Sequence, residues 1–149
     1  MFRFWPHPEG VHVLPDGGWR VGGFAVRHAP SLRYMKAHLA FEEDGVFIAQ
    51  GGRRIPVVVD GPPFEVAVLV LDPVGGEAHA VLDDGSEEPL GPDSLSMNER
   101  TGQFECRVRG GRSRAVFSRG AHQKLLENIE EDDRRFYLRV GARRIPIRT

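Results

Sequence analysis

Cysteine is nearly absent from the sequence, since Cys106 is the only thiol among 149 residues. A single cysteine excludes an internal disulfide and a CxxC metal site, so packing must stabilise the fold. Thiol catalysis is not favoured either. Cys106 lies in a stretch of alternating apolar and charged residues, where a lone thiol usually behaves as a small buried hydrophobe.

Long apolar runs are also absent, and the longest, Val66–Leu71, has the length of a strand. A membrane-spanning helix needs about 20 apolar residues, so no membrane partner is expected. The first ten residues lack the basic start, apolar core and small-residue cleavage site of a signal peptide. A cytoplasmic location is therefore the expectation. The 40% hydrophobic and 28% charged composition is typical of a globular protein.

Lysine is scarce as well, with 18 arginines against 2 lysines, and the basic residues are unevenly distributed. Residues 55–99 contain ten acidic residues and no Lys or Arg, whereas residues 100–125 contain seven basic residues and one acid. Neighbouring strands and loops of opposite charge that face each other would produce this pattern. The alternative is a nucleic-acid surface formed by residues 107–124, which would bind in a strongly salt-dependent way.

Motifs for metal or cofactor chemistry are missing. The six histidines include His7 and His12, five residues apart, and His28 and His38, ten apart, but none has HxH or HExxH spacing. No serine stands in a G-x-S-x-G elbow, and no glycine-rich phosphate loop is present. The sequence predicts neither cofactor nor metal, and it favours a binding module over an enzyme.

The periodicity predicts an α+β fold that is mostly antiparallel β with two helices. Apolar residues at helical spacing predict helices over residues 31–41 and 121–133. Alternating segments around Gly-rich turns predict four hairpins, and a fifth strand pair follows Asp60–Pro63. Residues 86–100 are polar and show no period.

The tetrapeptide RRIP occurs twice, at Arg53–Pro56 and Arg143–Pro146. One ungapped offset of ninety residues aligns these motifs together with a strand, a helix and a hairpin, over 25–57 and 115–147. This predicts a duplicated strand-helix-hairpin unit, with one part at residues 1–60 and the other at 61–149. Within each copy, Ile55 or Ile145 should be buried. Pro56 and Pro146 should lie on an edge strand or at a bulge, because proline lacks the N–H donor.

Several short motifs together resemble the bacterial domain-of-unknown-function family 1285. They are Asp16–Trp19, Val26-Arg27, Gly45–Phe47, Asp60–Phe64, Cys106–Gly111 and Arg114–Arg119. The resemblance covers nearly the whole chain. It implies a two-part, internally duplicated α+β fold whose second part is similar to a pleckstrin-homology domain. It also implies a ligand site between the two parts and a role in signal transduction.

The leading functional hypothesis is a non-enzymatic bacterial module that binds an anionic, nucleotide-like small molecule between the two repeats. Duplicated arginines, with Arg53 and Arg143 foremost, would clamp the anion, and Trp19 and Phe64 would stack on a ring. The full set of candidate ligand-binding residues is Arg53, Arg143, Arg27, Trp19, Asp60 and Phe64. Alternatively, these arginines form salt bridges to local acids such as Asp60, and the aromatics are core. A nucleic-acid-binding protein, a protein-interaction adaptor and an enzyme are the other functions left open.

Overall fold

The computed structural model describes residues 10–149, which form two compact units. Unit 1 contains the described residues up to Phe64 together with Asp83–Gly85, and unit 2 contains Glu65–Leu82 and Ser86–Thr149. The chain has two helices and two mixed sheets, so the α+β class is confirmed. The boundary at residue 60 stays a prediction. Neither helix among residues 10–149 is long and apolar enough to cross a membrane.

Unit 1 is built on a six-stranded sheet with the strand order β3-β2-β1-β6-β5-β4. Helix α1, Ala29–Ala37, connects β3 to β4. The strands are β1 Val11–Val13, β2 Trp19–Val21, β3 Phe24–Ala25, β4 Leu39–Glu42, β5 Gly45–Gln50 and β6 Arg53–Val59.

The core of unit 1 follows from the two-residue period of its strands. On β6, Ile55 and Val57 are buried while Arg54, Pro56 and Val58 are exposed, because successive side chains of a strand point to opposite faces. The core consists of Val11, Val13, Trp19, Met35, Ile48, Ile55 and Val57. The predicted burial of Ile55 is confirmed.

Unit 2 has a nine-stranded sheet with the order β13-β14-β15-β10-β11-β12-β7-β8-β9. Helix α2, Arg119–Glu127, connects β12 to β13. The strands are β7 Phe64–Asp72, β8 Glu77–Leu82, β9 Glu87–Pro89, β10 Leu95–Met97, β11 Phe104–Val108, β12 Ser113–Phe117, β13 Ile129–Asp132, β14 Arg135–Val140 and β15 Arg143–Arg148. Ile145 is buried as predicted.

Each sheet combines a parallel strand pair with antiparallel pairs. Strand β1 runs parallel to β6, and β10 runs parallel to β15. The stretch 86–100, which showed no period in the sequence, supplies β9 and β10. Strand β10 is only three residues long, yet it lies inside the sheet and its Leu95 is fully buried.

Both helices are shorter than the sequence predicted. Helix α1 ends at Ala37 and α2 at Glu127, and the residues that follow form strands β4 and β13. At the end of α2, the Asn128 side chain donates to the Lys124 carbonyl at 2.8 Å, which satisfies a free helix-terminal acceptor. The acidic run Glu130–Asp133 therefore lies on β13 and its turn, not at a helix terminus.

The prolines of the two RRIP motifs are not on edge strands, so that prediction is wrong. Pro56 lies on β6, between β1 and β5, and Pro146 lies on β15, between β10 and β14. Each proline lacks an N–H donor, but it lies just before the residue at which the parallel pairing begins, so no hydrogen bond of that pairing is lost. Strand β1 pairs with β6 from Val57 onward, and β10 pairs with β15 from Ile147 onward, one residue after each proline.

From α1 to the start of β6, the elements of unit 1 recur in unit 2 in the same order at an offset of ninety residues. Helix α2 begins and ends ninety residues after α1, and β13 and β14 follow β4 and β5 by the same interval. The order β3-β2-β1-β6-β5-β4 recurs as β12-β11-β10-β15-β14-β13. Leu39 pairs with Ile48 in unit 1, and Ile129 pairs with Leu138 in unit 2.

Candidate ligand-binding cleft

A cleft of about 320 Å³ lies within unit 2, where the β7–β8 turn, the β14–β15 turn and the segment after β9 approach one another. The β7–β8 turn and the start of β8 contribute a glycine, a glutamate and an alanine to the lining. The start of β15 contributes two arginines. The lining residues are Gly76, Glu77, Ala78, Pro89, Leu90, Gly91, Pro92, Arg143, Arg144 and Ile145.

Two glycines allow the β7–β8 and β14–β15 turns to approach closely. Gly141 has φ +60°, and a Cβ there would overlap the carbonyl oxygen of Pro73. Gly76 has φ +69°, and a Cβ there would lie 2.5 Å from Cδ of Arg143. Strands β15 and β7 are separated by three strands in the sheet order, so the sheet must curve for the β7–β8 turn to approach the β14–β15 turn.

Arg143 lines the cleft beside Gly76. Its aliphatic stem lies against Gly76, which holds the side chain at the cleft. Within residues 10–149, its guanidinium forms no ion pair or hydrogen bond. Glu77, the one acid lining the cleft, lies 3.5 Å from Nε2 of His79 instead. The Arg143 donors are therefore available to an anion.

Apolar side chains make up much of the remaining lining. Ala78, Leu90 and Ile145 are 2%, 7% and 9% exposed, so they form the packed base of the cleft and expose little surface of their own. Pro89 and Pro92 add two further apolar groups of low flexibility. The cleft combines one available cation with an apolar wall, which is the usual character of a small-molecule site.

The second arginine of each RRIP motif is engaged locally. Arg54 donates to Glu42 and Asp44, and its Cζ lies 4.0 Å from the centroid of the Phe47 ring. The hydrogen bond to Asp44 is the main cause that raises the pKa of Arg54 above its ordinary value. The alternative of salt bridges to local acids applies to this arginine.

Arg144 repeats this arrangement in unit 2. It donates to Asp132 at 3.0 Å, lies 3.9 Å from Glu130, and its Cζ is 4.2 Å from the centroid of the Tyr137 ring. The hydrogen bond to Asp132 is again the main cause that raises the arginine's pKa. Arg144 therefore contributes structure to the cleft wall, and Arg143 contributes the available charge.

The other predicted site residues do not line this cleft. Trp19 and Phe64 are 3% and 1% exposed, and Trp19 donates to the Pro63 carbonyl at 3.1 Å, so neither ring presents an open stacking face. Asp60 bonds Nε2 of His12 at 2.5 Å. Arg27 and Arg53 are exposed, and their ligand role stays a prediction.

The groups considered for metal binding or catalysis are not assembled. Among the described residues, no three His, Cys, Asp or Glu side chains are placed to hold a metal ion, and His7 lies outside those residues. Cys106 is buried, and burial raises its pKa to about 12, with a further contribution from Glu88 and Glu105.

Several arginines of the basic stretch 107–124 pair with acids in unit 2. The Arg109 guanidinium lies 3.5 Å from Glu88, and the Arg114 guanidinium donates to Glu105 at 3.0 Å. Glu88 also accepts hydrogen bonds from the Arg109 backbone N–H at 2.9 and 3.1 Å. This local neutralisation lowers the charge available to a nucleic acid.

The sequence interpretation named Arg143 as a candidate but gave no signal for the groups that surround it in the cleft. Gly76 and Leu90 carry no chemical signal, since a turn glycine and a single leucine are common everywhere. The pair Gly75-Gly76 does mark a tight turn. However, its contact with β15 depends on sheet curvature, which no local pattern encodes.

Two solved structures share this fold. A DUF1285 family protein from Silicibacter pomeroyi superposes with a TM-score of 0.70 at 19% identity, over 94% of this chain and 80% of that one. The chain has a DUF1285-like fold. A second DUF1285 family protein, from Shewanella baltica, matches with a TM-score of 0.60 at 10% identity, over 78% of this chain and 90% of that one. Scans of protein-family models and of curated proteins find no match.

The DUF1285-like fold confirms the resemblance that the short motifs indicated. The likeness extends over most of both chains, although the identities are low. At such identities the agreement concerns the fold, and the function must be argued from the cleft itself.

Proposed function

We propose that the protein is a non-catalytic binding module whose unit 2 cleft holds a small anionic molecule. The observation that carries the proposal is Arg143, whose stem is fixed against Gly76 and whose guanidinium forms no ion pair within residues 10–149. Guanidinium groups bind carboxylate and phosphate through paired hydrogen bonds.

The size and lining of the cleft limit the ligand class. A volume of about 320 Å³ is near the lower end of the roughly 300–1,000 Å³ range of ligand pockets. Arg143 would bind one carboxylate or phosphate, and the exposed prolines Pro89 and Pro92 would contact a compact apolar group. A small organic acid or phosphate ester with an apolar part fits both features.

The absence of an acid–base pair favours binding over catalysis. Glu77, Arg143 and Arg144 are the titratable side chains that line the cleft among the described residues. Acid–base or nucleophilic mechanisms need two such groups within hydrogen-bond reach of a reacting atom. An arginine remains protonated at ordinary pH, so neither arginine of the cleft lining can exchange a proton with Glu77.

We also infer that the two units arose by duplication. The shared offset of ninety residues, the shared strand order and the paired Arg54–Phe47 and Arg144–Tyr137 contacts support this. A hydrogen bond from Ala49 N to the His38 carbonyl at 2.9 Å recurs from Arg139 N to the Asn128 carbonyl at 2.8 Å. The pleckstrin-homology likeness, a ligand between the repeats, a signalling role and the cellular location stay predictions.

The proposal is tested by ligand-induced stabilisation. A thermal-shift screen with small carboxylates, phosphate esters and nucleotides should identify compounds that raise the melting temperature, because binding to the native state alone stabilises it by mass action. Calorimetric titration of the best compound then gives its affinity. A screen in which no compound raises the melting temperature would contradict the proposal.

Three variants locate the site. Arg143→Ala should weaken the best ligand about tenfold or more, since one charge-assisted hydrogen bond contributes roughly 1.5–3 kcal/mol. Gly76→Ala should also weaken it, because the new Cβ displaces the Arg143 stem. Arg53→Ala, at the matched position of unit 1, should have no effect if the cleft alone binds. A loss with Arg53→Ala would support the clamp of duplicated arginines instead.

A further inference from the structure

A second cleft lies at the opposite end of β14, beside the turn that joins β13 to β14. Its volume is about 430 Å³, and it belongs entirely to unit 2. Arginines and apolar or aromatic groups dominate its lining. The lining residues are Arg134, Arg135, Phe136, Tyr137, Pro146, Ile147, Arg148 and Thr149.

Two of its three arginines have no partner among residues 10–149. The guanidinium groups of Arg134 and Arg135 form no ion pair or hydrogen bond with these residues, whereas Arg148 donates to Asp93 at 2.7 Å. Asp132, the last residue of β13, is engaged by Arg144 at 3.0 Å, and Asp133 is the acid within the turn. Both arginines line the cleft, so they contribute positive charge to it.

The backbone of this turn adopts an unfavourable conformation for its residues. Asp133 has φ +52° and Arg134 has φ +64°. Hairpin turns with two left-handed residues favour Asn-Gly or Asp-Gly, and a long side chain such as Arg at the second position is disfavoured. Strain of this kind is concentrated at functional sites, where the side chain is needed despite its cost.

The matched turn of unit 1 has the opposite charge. Asp44 stands where unit 2 has Arg134, and it supplies a carboxylate to Arg54 at 3.1 Å. In unit 2 the corresponding second carboxylate comes from Glu130, 3.9 Å from Arg144, at a position where unit 1 has Ala40. Unit 2 therefore retains acids around Arg144, while Arg134 in the turn and Arg135 at the start of β14 add two positive charges.

The rest of the lining suits an apolar group next to the anion. Tyr137 and Pro146 are cross-strand partners on the exposed face of β14 and β15. Arg144 stacks on the Tyr137 ring at 4.2 Å, which holds this ring in place. A ligand whose anionic group meets Arg134 and Arg135 would lay its neighbouring part against tyrosine and proline.

We propose that this second cleft binds the phosphate group of a small phosphate ester through Arg134 and Arg135. Phosphate offers three oxygens, so it can accept hydrogen bonds from both arginines of the lining more readily than a carboxylate with two oxygens. The site is separate from the Arg143 cleft and does not depend on the function proposed for it.

Amide NMR titration tests this proposal with inorganic phosphate and phenyl phosphate as probes. Both should shift the amides of residues 133–137 and 146–148 in a saturable way, and phenyl phosphate should bind several-fold more tightly because its ring contacts Tyr137 and Pro146. No saturable shifts in these residues with either probe would overturn the proposal. Tighter binding of benzoate than of phenyl phosphate would overturn the choice of phosphate.

Arg134→Asp is the decisive variant because unit 1 has Asp at the matched position. It should lower the affinity for both probes at least tenfold and leave the denaturation midpoint unchanged or higher, since Asp tolerates the left-handed turn better. Arg100→Asp, an exposed position elsewhere in unit 2, changes the net charge equally and should bind like the parent.

Two further variants complete the test. Arg135→Gln should also lower the affinity, which keeps the proposal testable if Arg134→Asp fails to fold. Arg143→Ala should leave phosphate binding at residues 133–137 unaffected. An equal loss with Arg100→Asp and Arg134→Asp would show a general charge effect and overturn the site.

Discussion

At the scale of the single residue, burial decides the chemistry of Cys106. The thiol is 1% exposed, and burial raises its pKa to about 12 from an ordinary 9.0. Nearby Glu88 and Glu105 disfavour the thiolate further. At neutral pH the thiolate population is therefore negligible, which removes the strongest nucleophile of the chain from consideration.

The same shift predicts a pH dependence of stability. Above pH 9 the unfolded chain loses the thiol proton while the folded protein keeps it, so stability falls as the pH rises towards 12. The slope from this group reaches about 1.4 kcal/mol per pH unit. Urea unfolding between pH 8 and 11 should show this decline in the parent and a weaker one in Cys106→Ala. Parallel curves for the two proteins would contradict the prediction.

Some residue-level features could be predicted from the sequence, and others could not. Alternation alone predicted that Ile55 and Ile145 are buried, because a strand inverts its side chains at every residue. The partners of Arg54 and Arg144 depend on which residues stand opposite on the neighbouring strand. That register is a tertiary property, so the sequence left open whether these arginines bind ligand or local acids.

At the scale of the element, the two matched turn glycines differ in their surroundings. Gly51 and Gly141 have φ +53° and +60°, but a Cβ on Gly51 would meet nothing within 4 Å, while one on Gly141 would overlap the Pro73 carbonyl. The first position requires glycine for its backbone conformation alone. The second requires it also for the close approach that forms the Arg143 cleft.

A pair of alanine substitutions separates these two requirements. Gly51→Ala should lower the free energy of unfolding by about 1–2 kcal/mol through left-handed strain. Gly141→Ala should lower it by roughly 1–3 kcal/mol more, because backbone must move to relieve the overlap. Urea denaturation followed by circular dichroism measures both. Equal losses would mean that the Gly141 turn does not pack against Pro73.

Helix ends were the least predictable elements. Leu39 and Ile129 continue the helical spacing of the preceding residues, yet both begin strands. A short apolar run fits both the helical spacing of 3.6 residues and the strand spacing of two. Pairing of β4 with β5 and of β13 with β14 favours the strand conformation. Strand β10 was missed for a related reason, since three residues are too few to show alternation.

At the scale of the whole molecule, the segregated charges of the sequence are partly paired within unit 2. Acids from the stretch 55–99 meet later arginines, as in Glu88 with Arg109 and Asp93 with Arg148. The parallel pairs β1–β6 and β10–β15 bring together segments about fifty residues apart. No local pattern indicates such pairs, so the topology could not be predicted although the class could.

The inferred duplication predicts that matched helices are interchangeable. Grafting residues 29–37 onto 119–127 places Ser31 and Met35 at the buried positions of Ala121 and Leu125, and both donors are themselves buried in unit 1. The chimera should unfold cooperatively, with a loss of at most about 3 kcal/mol. Thermal melting followed by circular dichroism measures this.

A graft shifted by two residues is the matched control. It places Arg33 at position 121, where an unpaired buried charge should prevent folding. If both chimeras fold equally well, or if neither folds, the two helices do not occupy equivalent environments and the inferred duplication loses its support.

The prolines at the start of each parallel ladder also bear on how the chain finds its pairing. A parallel strand that slips by one residue inverts every side chain it carries. Pro56 and Pro146 cannot donate a bond one position earlier, which blocks slippage in that direction. The proline of each RRIP motif thus helps to fix the register of the parallel pair. Its partner, β1 or β10, has only three residues, which are too few to specify the register by their own side-chain pattern.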